Sequence, residues 1–525
     1  MTRLGITRLE ITRLKQLQRF VVTADQMSKI EARVFDAGMP VAALMEKVGG
    51  ILAQRIQSLY PLGQKPCVGI LVGPGHNGGD ALVVARELHL GGYAVKLYQP
   101  FAKMKDLTAS HAQYAVSLGI PRFEQIEPLA ACDVLVDGLF GFGLTRSLDG
   151  SIASVVDQLN QWTQPILSID LPSGLHTDTG AALGTAIQAT RSFCLGLWKR
   201  AFLQEQALEY IGQAEWIDVG LPLAEVEAVL GVPAIQRITP QMAIASLPLP
   251  RPATTHKYKQ GHLLLICGSR RYAGAAILCG LAARASGVGM LSIAVPESLK
   301  SILTSQLPDA LVISCLEGET GAIAQLPDDV EFGTYQAIAC GPGLSPQANS
   351  VVESVLASAC PLLLDADGLN TLANLGTLSM LQQRQAPTVL TPHLGEFKRL
   401  FPALTESIDD PITIVQTAAQ QSGAIVLLKG ARTIIANSQG SVWLNPDSTP
   451  ALARGGSGDV LTGLMGGLLA QGLMCKTSIE SVVQSAAWWH SQAGILAAQE
   501  RTELGVDAST LIQYLIPALH RMPRS

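Results

Sequence analysis

The sequence is poor in charge. Only 15% of its 525 residues are charged, whereas 48% are hydrophobic, and the formal net charge is −5. An acidic balance argues against a protein that binds nucleic acid through the phosphate backbone. Low charge with a high apolar content favours buried parallel sheets and sizeable interfaces, such as those of an expected homo-oligomer. One hydrophobic core rarely serves a chain this long, so two or more domains are expected.

A secretory signal, a membrane span and a cysteine motif are also missing. Residues 1–20 are basic and lack an apolar core of about 7–15 residues, so we expect a disordered or helical extension outside the fold. Val460–Cys475 has no charge but is short and broken by glycines, which favours a buried helix over a membrane span. The nine cysteines form no C-x-x-C motif, which indicates free thiols and a cytoplasmic protein without a membrane segment.

Glycine is abundant, with 50 residues, and in the first half it follows apolar runs. Val68–Val72, Val134–Asp137 and Ile166–Asp170 are predicted strands, each followed by a loop that contains glycine. Met27–Tyr60 has helical spacing, and Ala81–Leu90 is a predicted helix. Alternating strands and helices indicate a doubly wound parallel α/β sheet, which binds its ligand at the carboxyl ends of the strands.

A second α/β series follows a proline-rich segment, residues 223–255, which is the predicted linker. The domains are therefore expected at 21–222 and 256–525. Predicted strands of the second series, each followed by a polar or glycine loop, are Leu263–Cys267, Ala337–Cys340, Leu362–Leu364, Thr388–Leu390 and Ile425–Leu428. These loops are expected to form one pocket along one edge of the sheet.

In the first domain, the sequence Asn77-Gly78-Gly79-Asp80 lies between a strand and a helix, where a phosphate can bind the helix amides. A tight turn capped by Asp80 is the alternative. Asp137 and Asp170 end two further strands, and such carboxylates either bind a cation or divide acid and base work. Each could instead cap the loop that follows it.

In the second domain, Gly455–Gly463 reads G-G-S-G-D-V-L-T-G. Glycines before a helix let the backbone approach a phosphate, and the helix amides then bind it. Asp459 follows directly, in the position that a general base for phosphoryl transfer needs. A glycine turn in which Asp459 caps the helix is the alternative.

Three motifs of the first half, H-N-G-G-D, D-G-L-F-G-F-G and D-L-P-S-G, resemble the NAD(P)H-hydrate epimerase domain. The resemblance covers about residues 21–220. It implies a Rossmann-like three-layer fold and a bound K⁺ ion with the ligands Asn77, Asp137 and Ser173. It also implies that Asp170 is the catalytic acid or base. The implied contacts of the hydrated nucleotide are His76, Asn77, Gly78, Gly79, Asp80, Gly141, Phe142, Gly143, Leu144, Thr145, Arg146, Ser147 and Asp170.

From about His256 the chain resembles ribokinase-like dehydratases that repair NAD(P)H hydrates with ADP or ATP. The matching motifs include G-S-R-R-Y-A-G-A, G-P-G-L, D-A-D-G-L-N, T-P-H-L-G-E, K-G-A-R-T and G-G-S-G-D-V-L-T-G. The implied substrate contacts are Ala275, Gly343, His393, Gly395, Glu396 and Asp459. The implied nucleotide contacts, made with Mg²⁺, are Lys429, Gly430, Ala431, Arg432, Thr433, Gly455, Gly456, Ser457 and Gly458.

Several of these residues have structural alternatives. Lys429 could be a solvated lysine at a strand end, and His393 could be a core or capping histidine. Glu396 either caps the next helix or contacts the ligand. Asp365 and Asp367 either assist Mg²⁺ or ribose binding or brace their loop.

The resemblances together imply a bifunctional enzyme. The first half would interconvert the two C6 epimers of hydrated NADH or NADPH. The second half would phosphorylate the C6 hydroxyl, with Asp459 taking the proton, and eliminate phosphate. One rival is a small-molecule kinase that releases a stable phosphate ester. The other is a protein whose first domain only binds a nucleotide or a partner, although such a role needs neither Asp137 nor Asp170.

Overall fold

The computed structural model describes residues 8–64, 66–407 and 410–521. Its contacts divide the chain into two compact units, which we call unit 1, ending at Pro233, and unit 2, starting at Ala234. Each unit is built on a largely parallel sheet with helices between the strands, which confirms the predicted α/β class. The tripeptide Thr-Arg-Leu occurs at positions 2, 7 and 12 of the sequence. The first copy lies outside the described residues, and the second begins outside them.

Unit 1 alternates short strands with helices. Its strands are β1 (Val21–Val22), β2 (Cys67–Val72), β3 (Ala94–Tyr98), β4 (Arg122–Phe123), β5 (Val134–Gly138), β6 (Ile166–Ile169), β7 (Arg191–Leu195), β8 (Trp198–Lys199) and β9 (Gln213–Ile217). Its helices are α1 (Arg8–Leu17), α2 (Ala24–Asp36), α3 (Val41–Leu59), α4 (His76–Leu90), α5 (Asp106–Ser117), α6 (Gly150–Asn160), α7 (Leu208–Ile211) and α8 (Leu223–Leu230).

The main sheet of unit 1 has the strand order β4-β3-β2-β5-β6-β7-β9, and all its neighbouring strands pair in parallel. β3 lies on one side of β2 and β5 lies on the other, so the loops after β2 and β5 diverge. This divergence is the topological switch point at which doubly wound sheets bind ligands.

The N-terminal segment belongs to unit 1, contrary to the expectation that residues 1–20 lie outside the fold. Leu17 is fully buried in the core of the unit, and Phe20 is also buried. Arg13 pairs with Asp218 and donates to the Leu221 carbonyl oxygen at 3.0 Å. The basic residues make this segment look polar in the sequence, so the burial of Leu17 and Phe20 was not predicted.

Unit 2 continues the alternation. Its strands are β10 (Ile235–Arg237), β11 (His262–Ile266), β12 (Met290–Pro296), β13 (Leu311–Glu317), β14 (Ile323–Gln325), β15 (Ala337–Cys340), β16 (Leu362–Leu364), β17 (Thr388–Leu390), β18 (Ile425–Leu428), β19 (Thr433–Ala436) and β20 (Val442–Asn445). Its helices are α9 (Pro240–Ala245), α10 (Ala273–Ala285), α11 (Lys300–Gln306), α12 (Asn349–Ala357), α13 (Asp367–Leu375), α14 (Thr377–Gln382), α15 (Leu394–Leu400), α16 (Pro402–Ser407), α17 (Pro411–Ser422), α18 (Ser457–Cys475), α19 (Ile479–Arg501) and α20 (Ala508–His520).

The sheet of unit 2 has the order β10-β20-β19-β18-β17-β16-β15-β11-β12-β13-β14. Strands β11 to β18 pair in parallel, apart from β14, which runs antiparallel to β13. β19 runs antiparallel to both of its neighbours. Its switch point lies at β11, between β12 and β15. The predicted linker is partly folded: it contains α8, β10 and α9, and β10 pairs with β20.

Among the described residues, α18 is the one helix that is long and apolar enough to cross a membrane. Of its most apolar stretch of 18 residues, 72% is buried inside the protein. Its glycines allow a close approach to α10. A Cβ atom on Gly463 would lie 2.0 Å from the backbone oxygen of Cys279. The prediction of a buried helix over Val460–Cys475 is therefore confirmed.

Candidate active sites

The loops at the switch point of unit 1 pack so closely that glycine is required. A Cβ atom on Gly73 would lie 1.7 Å from the Leu139 oxygen, and one on Gly78 would lie 2.0 Å from the Gly73 oxygen. The first turn of α4, which contains Asn77 and Gly78, is thereby held against the end of β5. Gly75 precedes this helix without a side-chain cap, so its first amides face the loop region.

Asp170 adopts a strained backbone directly after β6, with φ at +66°. Its carboxylate accepts hydrogen bonds from Lys199 Nζ at 2.5 Å and from the Phe142 amide at 3.1 Å. Both Asp170 and Lys199 are buried. Burial lowers the pKa of Lys199, but Asp170, Cys194 and Glu31 together more than offset this, so the pKa is raised on balance. Strain at a buried ion pair is typical of a functional position.

Asp137 lies deeper than Asp170 and has neutral partners. It accepts from Ser173 Oγ at 2.6 Å, from the Ser173 amide at 2.9 Å and from Ser168 Oγ at 2.8 Å. Burial raises the pKa of Asp137, although the Ser173 hydrogen bonds oppose the rise. In the described part of the chain no basic side chain pairs with Asp137, so this carboxylate fits a site that gains its positive charge from a cation.

Asn77 faces the same strand ends. With its amide oriented to satisfy both atoms, its oxygen accepts from the Gly141 amide and its nitrogen donates to the Ile169 oxygen, each at 3.3 Å. A K⁺ ion would take oxygen ligands from the three residues predicted for it, Asn77, Asp137 and Ser173. Among the described residues no cluster of three or more His, Cys, Asp or Glu side chains is arranged to hold a metal.

A cavity of about 630 Å³ opens at this switch point. The predicted site residues that line it are His76, Asn77, Asp80, Gly141, Phe142, Gly143, Leu144, Arg146 and Asp170. Six predicted site residues do not line it: Gly78, Gly79, Thr145, Ser147, Asp137 and Ser173. Of these, Asp137 and Ser173 are fully buried.

Sequence reasoning missed three charged residues of this cavity, Glu31, Lys105 and Lys199. Each lies on an element that carries no glycine motif, so no local signal marked it. Burial raises the pKa of Glu31 to about 7; Lys199 opposes this rise and Asp170 adds to it. The pKa of Asp80 is raised well above its usual range by burial, and by the charges of Asp170 and Glu31.

In unit 2 the loops after β11 and β15 meet at the switch point. Gly343 has φ at +64°, and a Cβ atom there would lie 2.8 Å from Tyr272 Cβ and 2.9 Å from Ala275 Cβ. The predicted contacts Ala275 and Gly343 are therefore neighbours. Only a residue without a side chain fits between these two loops.

Half-buried Lys429 pairs with buried Asp365 beside the glycine loop. Lys429 Nζ lies 2.7 Å from Asp365 Oδ1 and 3.9 Å from Glu396 Oε2. The other Asp365 oxygen accepts from Thr462 Oγ1 at 2.7 Å. A Cβ atom on Gly458 would lie 3.6 Å from Lys429 Nζ. The first turn of α18 is thus within reach of the lysine, and Lys429 is not a solvated strand-end residue.

The start of α18 combines free amides with a carboxylate. Gly456 precedes the helix with φ at +91° and provides no side-chain cap, which leaves the first amides available to an anion. Asp459 is half-buried in this first turn. Burial raises the pKa of Asp459 to about 6, with Asp365 adding to the rise and Lys429 opposing it. A carboxylate with this pKa is suited to proton transfer near neutral pH.

His393 and Glu396 cap α15 together. His393 Nδ1 accepts from the Gly395 amide at 2.9 Å, and Glu396 Oε2 accepts from the His393 amide at 2.8 Å. The His393 side chain remains 55% exposed. Lys429 reaches this loop because its amide donates to the Pro392 oxygen at 2.8 Å. The capping role of Glu396 is therefore present in the structure, and His393 remains accessible.

The remaining predicted residues have clear positions. Asp367 accepts from the Ser345 amide at 2.8 Å, which braces the loop after β15. The turn between β18 and β19, directly after Lys429, contains Gly430, Ala431 and Arg432, and Thr433 begins β19. Buried His490 was not predicted; its Nε2 lies 3.0 Å from the Ser457 oxygen and holds the start of α18 from behind.

Comparison with known proteins identifies both halves. A family model described as NAD(P)H-hydrate dehydratase matches residues 263–517, and one described as YjeF-related protein N-terminus matches residues 41–201. A bifunctional NAD(P)H-hydrate repair enzyme of Synechocystis sp. is 56% identical over 95% of both chains. Its counterpart in Thermosynechococcus vestitus is 53% identical over 95% of this chain and 97% of its own.

A solved structure is also similar. It is described as an ADP/ATP-dependent NAD(P)H-hydrate dehydratase from Bacillus subtilis, co-crystallised with ATP and Mg²⁺. It is 33% identical and covers 54% of this chain and 97% of its own, with a TM-score of 0.45.

Proposed function

Because the chain belongs to the family of bifunctional NAD(P)H-hydrate repair enzymes, we propose that each unit carries one of the two reactions. Unit 1 interconverts the R and S epimers of hydrated NADH or NADPH. Unit 2 dehydrates the S epimer with ADP or ATP as the phosphoryl donor. The observation that carries this assignment is that each unit holds, beside the loops that follow its parallel strands, a carboxyl group whose pKa is raised by burial: fully buried Asp137 in unit 1 and half-buried Asp459 in unit 2.

In unit 2, Asp459 removes the proton of the C6 hydroxyl as this oxygen attacks the terminal phosphoryl group. The first amides of α18 and Lys429 bind the phosphates, because an uncapped helix start and a buried cation both stabilise negative charge. Phosphate then leaves C6 far more readily than hydroxide would, and elimination restores the dihydropyridine ring. Ala275, Gly343 and His393 contact the nicotinamide nucleotide, and Mg²⁺ accompanies the donor.

In unit 1, Asp170 transfers a proton at the nicotinamide ring, and the loops around Asn77 and Gly141 bind the nucleotide. Asn77, Asp137 and Ser173 hold a K⁺ ion, which supplies the positive charge that the buried Asp137 lacks. A monovalent ion suits one carboxylate among neutral oxygen donors, whereas Mg²⁺ demands a tighter octahedral shell. A homo-oligomeric state and a cytoplasmic location stay predictions.

The dehydratase assignment is tested with Asp459→Asn. We expect a loss of about 10²–10⁴-fold in the recovery of absorbance at 340 nm from the S epimer, because a general base is removed, while ADP binding is retained. Wild-type recovery should fall below pH about 6 as Asp459 becomes protonated, since only the carboxylate accepts a proton. Asp447→Asn, which alters a carboxylate outside this site, is the control.

The assay also separates repair from a kinase reaction. Repair releases one inorganic phosphate for each reduced nucleotide recovered, whereas a kinase leaves a phosphate ester on its product. A stable phosphorylated product, or wild-type turnover by Asp459→Asn, would refute the assignment.

A further inference from the structure

Three carboxyl groups line the cavity of unit 1, but the protein provides a partner for only one of them. Asp170 is held by Lys199 Nζ at 2.5 Å. In the part of the chain that the structure describes, the side chains of Glu31 and Asp80 form neither a hydrogen bond nor an ion pair. Glu31 comes from α2, whereas Asp170 comes from the sheet edge, so the two groups reach the ligand space from different elements.

The position of Glu31 is not that of a solvated surface acid. It is half-buried on the face of α2 that lines the cavity, between Met27 and Phe35 at helical spacing. Other glutamates of unit 1 are fixed by arginine: Glu46 by Arg86, Glu215 by Arg55 and Glu225 by Arg33. A half-buried carboxyl without such a partner is costly unless it is protonated or meets a ligand.

Glu31 and Asp170 have different surroundings within the one cavity. Asp170 is paired with the buried ammonium group of Lys199, whereas Glu31 has no such partner among the described residues. Burial raises the pKa of Glu31 to about 7; Lys199 and Lys105 oppose this rise and Asp170 adds to it. One carboxyl group held by a cation and another that can carry a proton near neutral pH form an arrangement that can divide acid from base work.

We propose that Glu31 is the second acid–base group of unit 1 and acts on the C6 hydroxyl of the hydrated nicotinamide together with Asp170. This inference rests on the proposed epimerase function. Lys199 is a positioning residue, because it fixes the Asp170 carboxylate without needing to touch the substrate.

The reaction balances with solvent water as the only added reactant. Glu31 donates its proton to the C6 hydroxyl, the C6–O bond breaks with its electron pair and water leaves, while the ring-nitrogen lone pair forms a C=N⁺ bond. A second water adds to the other face of C6, its electrons neutralise the iminium, and its proton passes to Asp170. Proton exchange with solvent then returns a proton to Glu31 and removes one from Asp170. When the opposite epimer reacts, Asp170 donates the proton to the leaving hydroxyl and Glu31 accepts the proton of the incoming water.

The test follows epimer exchange by NMR in the full-length chain with Asp459→Asn, which silences dehydration. Adding Glu31→Gln should lower the exchange rate about 10²-fold or more, because glutamine cannot donate an acidic proton, while nucleotide affinity changes less than about twofold. Glu31→Asp should recover part of the rate. Asp25→Asn, on the exposed side of the same helix and paired only with Lys29, should match the parent.

An isotope measurement is independent of these variants. In H₂¹⁸O, each inversion should place one ¹⁸O at C6. Inversion without ¹⁸O uptake, or a Glu31→Gln rate equal to that of its parent, would overturn the role of Glu31. If the parent itself fails to exchange epimers faster than buffer, the proposed epimerase function fails instead. A Glu31→Gln variant that does not fold leaves the Glu31→Asp rate and the ¹⁸O count as the deciding results.

Discussion

Asp137 lies near the end of β5 and Asp170 follows the neighbouring strand β6, yet the residues around them differ in charge. Asp170 meets the buried ammonium group of Lys199, whereas the partners of Asp137 are hydroxyl and amide groups. A buried carboxylate that lacks positive charge destabilises the fold when it is ionised. At the scale of single residues, these different surroundings are the reason that we propose a proton carrier at Asp170 and an ion ligand at Asp137.

This difference predicts a specific ion effect on stability. KCl should raise the unfolding temperature of unit 1 more than choline chloride at equal ionic strength, because K⁺ binds only the folded state. Asp137→Asn should abolish that specific increment, and Asp170→Asn should retain it. Calorimetry measures both, and crystals exchanged into Tl⁺ should show an anomalous peak beside Asp137. Ligand distances near about 2.1 Å would indicate Mg²⁺ and contradict the K⁺ assignment.

The site residues that the sequence could point to lie at strand ends or in the first turn of a helix, within or beside glycine-containing motifs. Asp170 follows β6 and Lys429 follows β18, whereas Asn77 and Asp459 lie in the first turns of α4 and α18. Glu31 could not be found in this way, because it lies on a helix without a glycine motif and the other residues that line its cavity lie far away in the sequence. Its setting depends on tertiary packing, which no local pattern encodes.

At the scale of elements, glycines set the distance between α10 and α18. A Cβ atom on Gly463 would lie 2.0 Å from a backbone oxygen of α10, and backbone cannot yield as a flexible side chain can. The start of α18 carries Asp459, so this packing also fixes the direction of the amides that we propose bind phosphate.

Gly463→Ala should therefore destabilise unit 2 by about 1–3 kcal/mol, the usual cost of overpacking a core. Gly274→Ala, on α10 itself, is the matched control: nothing lies within 4 Å of its Cβ position, and alanine favours a helix over glycine by up to about 1 kcal/mol. Thermal unfolding of the full chain gives both values. Equal stability of the two variants would mean that the close contact at Gly463 does not limit the distance between α10 and α18.

The central strands were predictable because they are short apolar runs that end in turns. β15, β16, β17 and β18 begin and end at the predicted residues. The sequence predicts a linker where β10 lies, because the five prolines of residues 223–255 indicate a loop. Its pairing with β20 joins residues about two hundred positions apart, and contacts of that range leave no periodicity in the sequence.

At the scale of the whole molecule, the stability of an isolated unit 2 depends on the residue at which the fragment begins. The proline-rich segment contributes Ile238, Ala243 and Leu247 to the core of unit 2, and all three are buried. A fragment that starts at residue 234 keeps them together with β10. A fragment that starts at residue 256 loses this apolar contact and should be less stable.

Fragment 234–525 should consume only the S epimer rapidly, because unit 2 supplies the dehydratase and lacks the cavity of unit 1. The R epimer should then disappear only as fast as it inverts without catalysis, as chromatography of the two epimers would show. Adding the separate fragment 1–233 should restore rapid loss of both, and the same fragment with Asp170→Asn should not. Rapid loss of both epimers with fragment 234–525 alone would contradict the division of labour, because unit 2 would then need no epimerase.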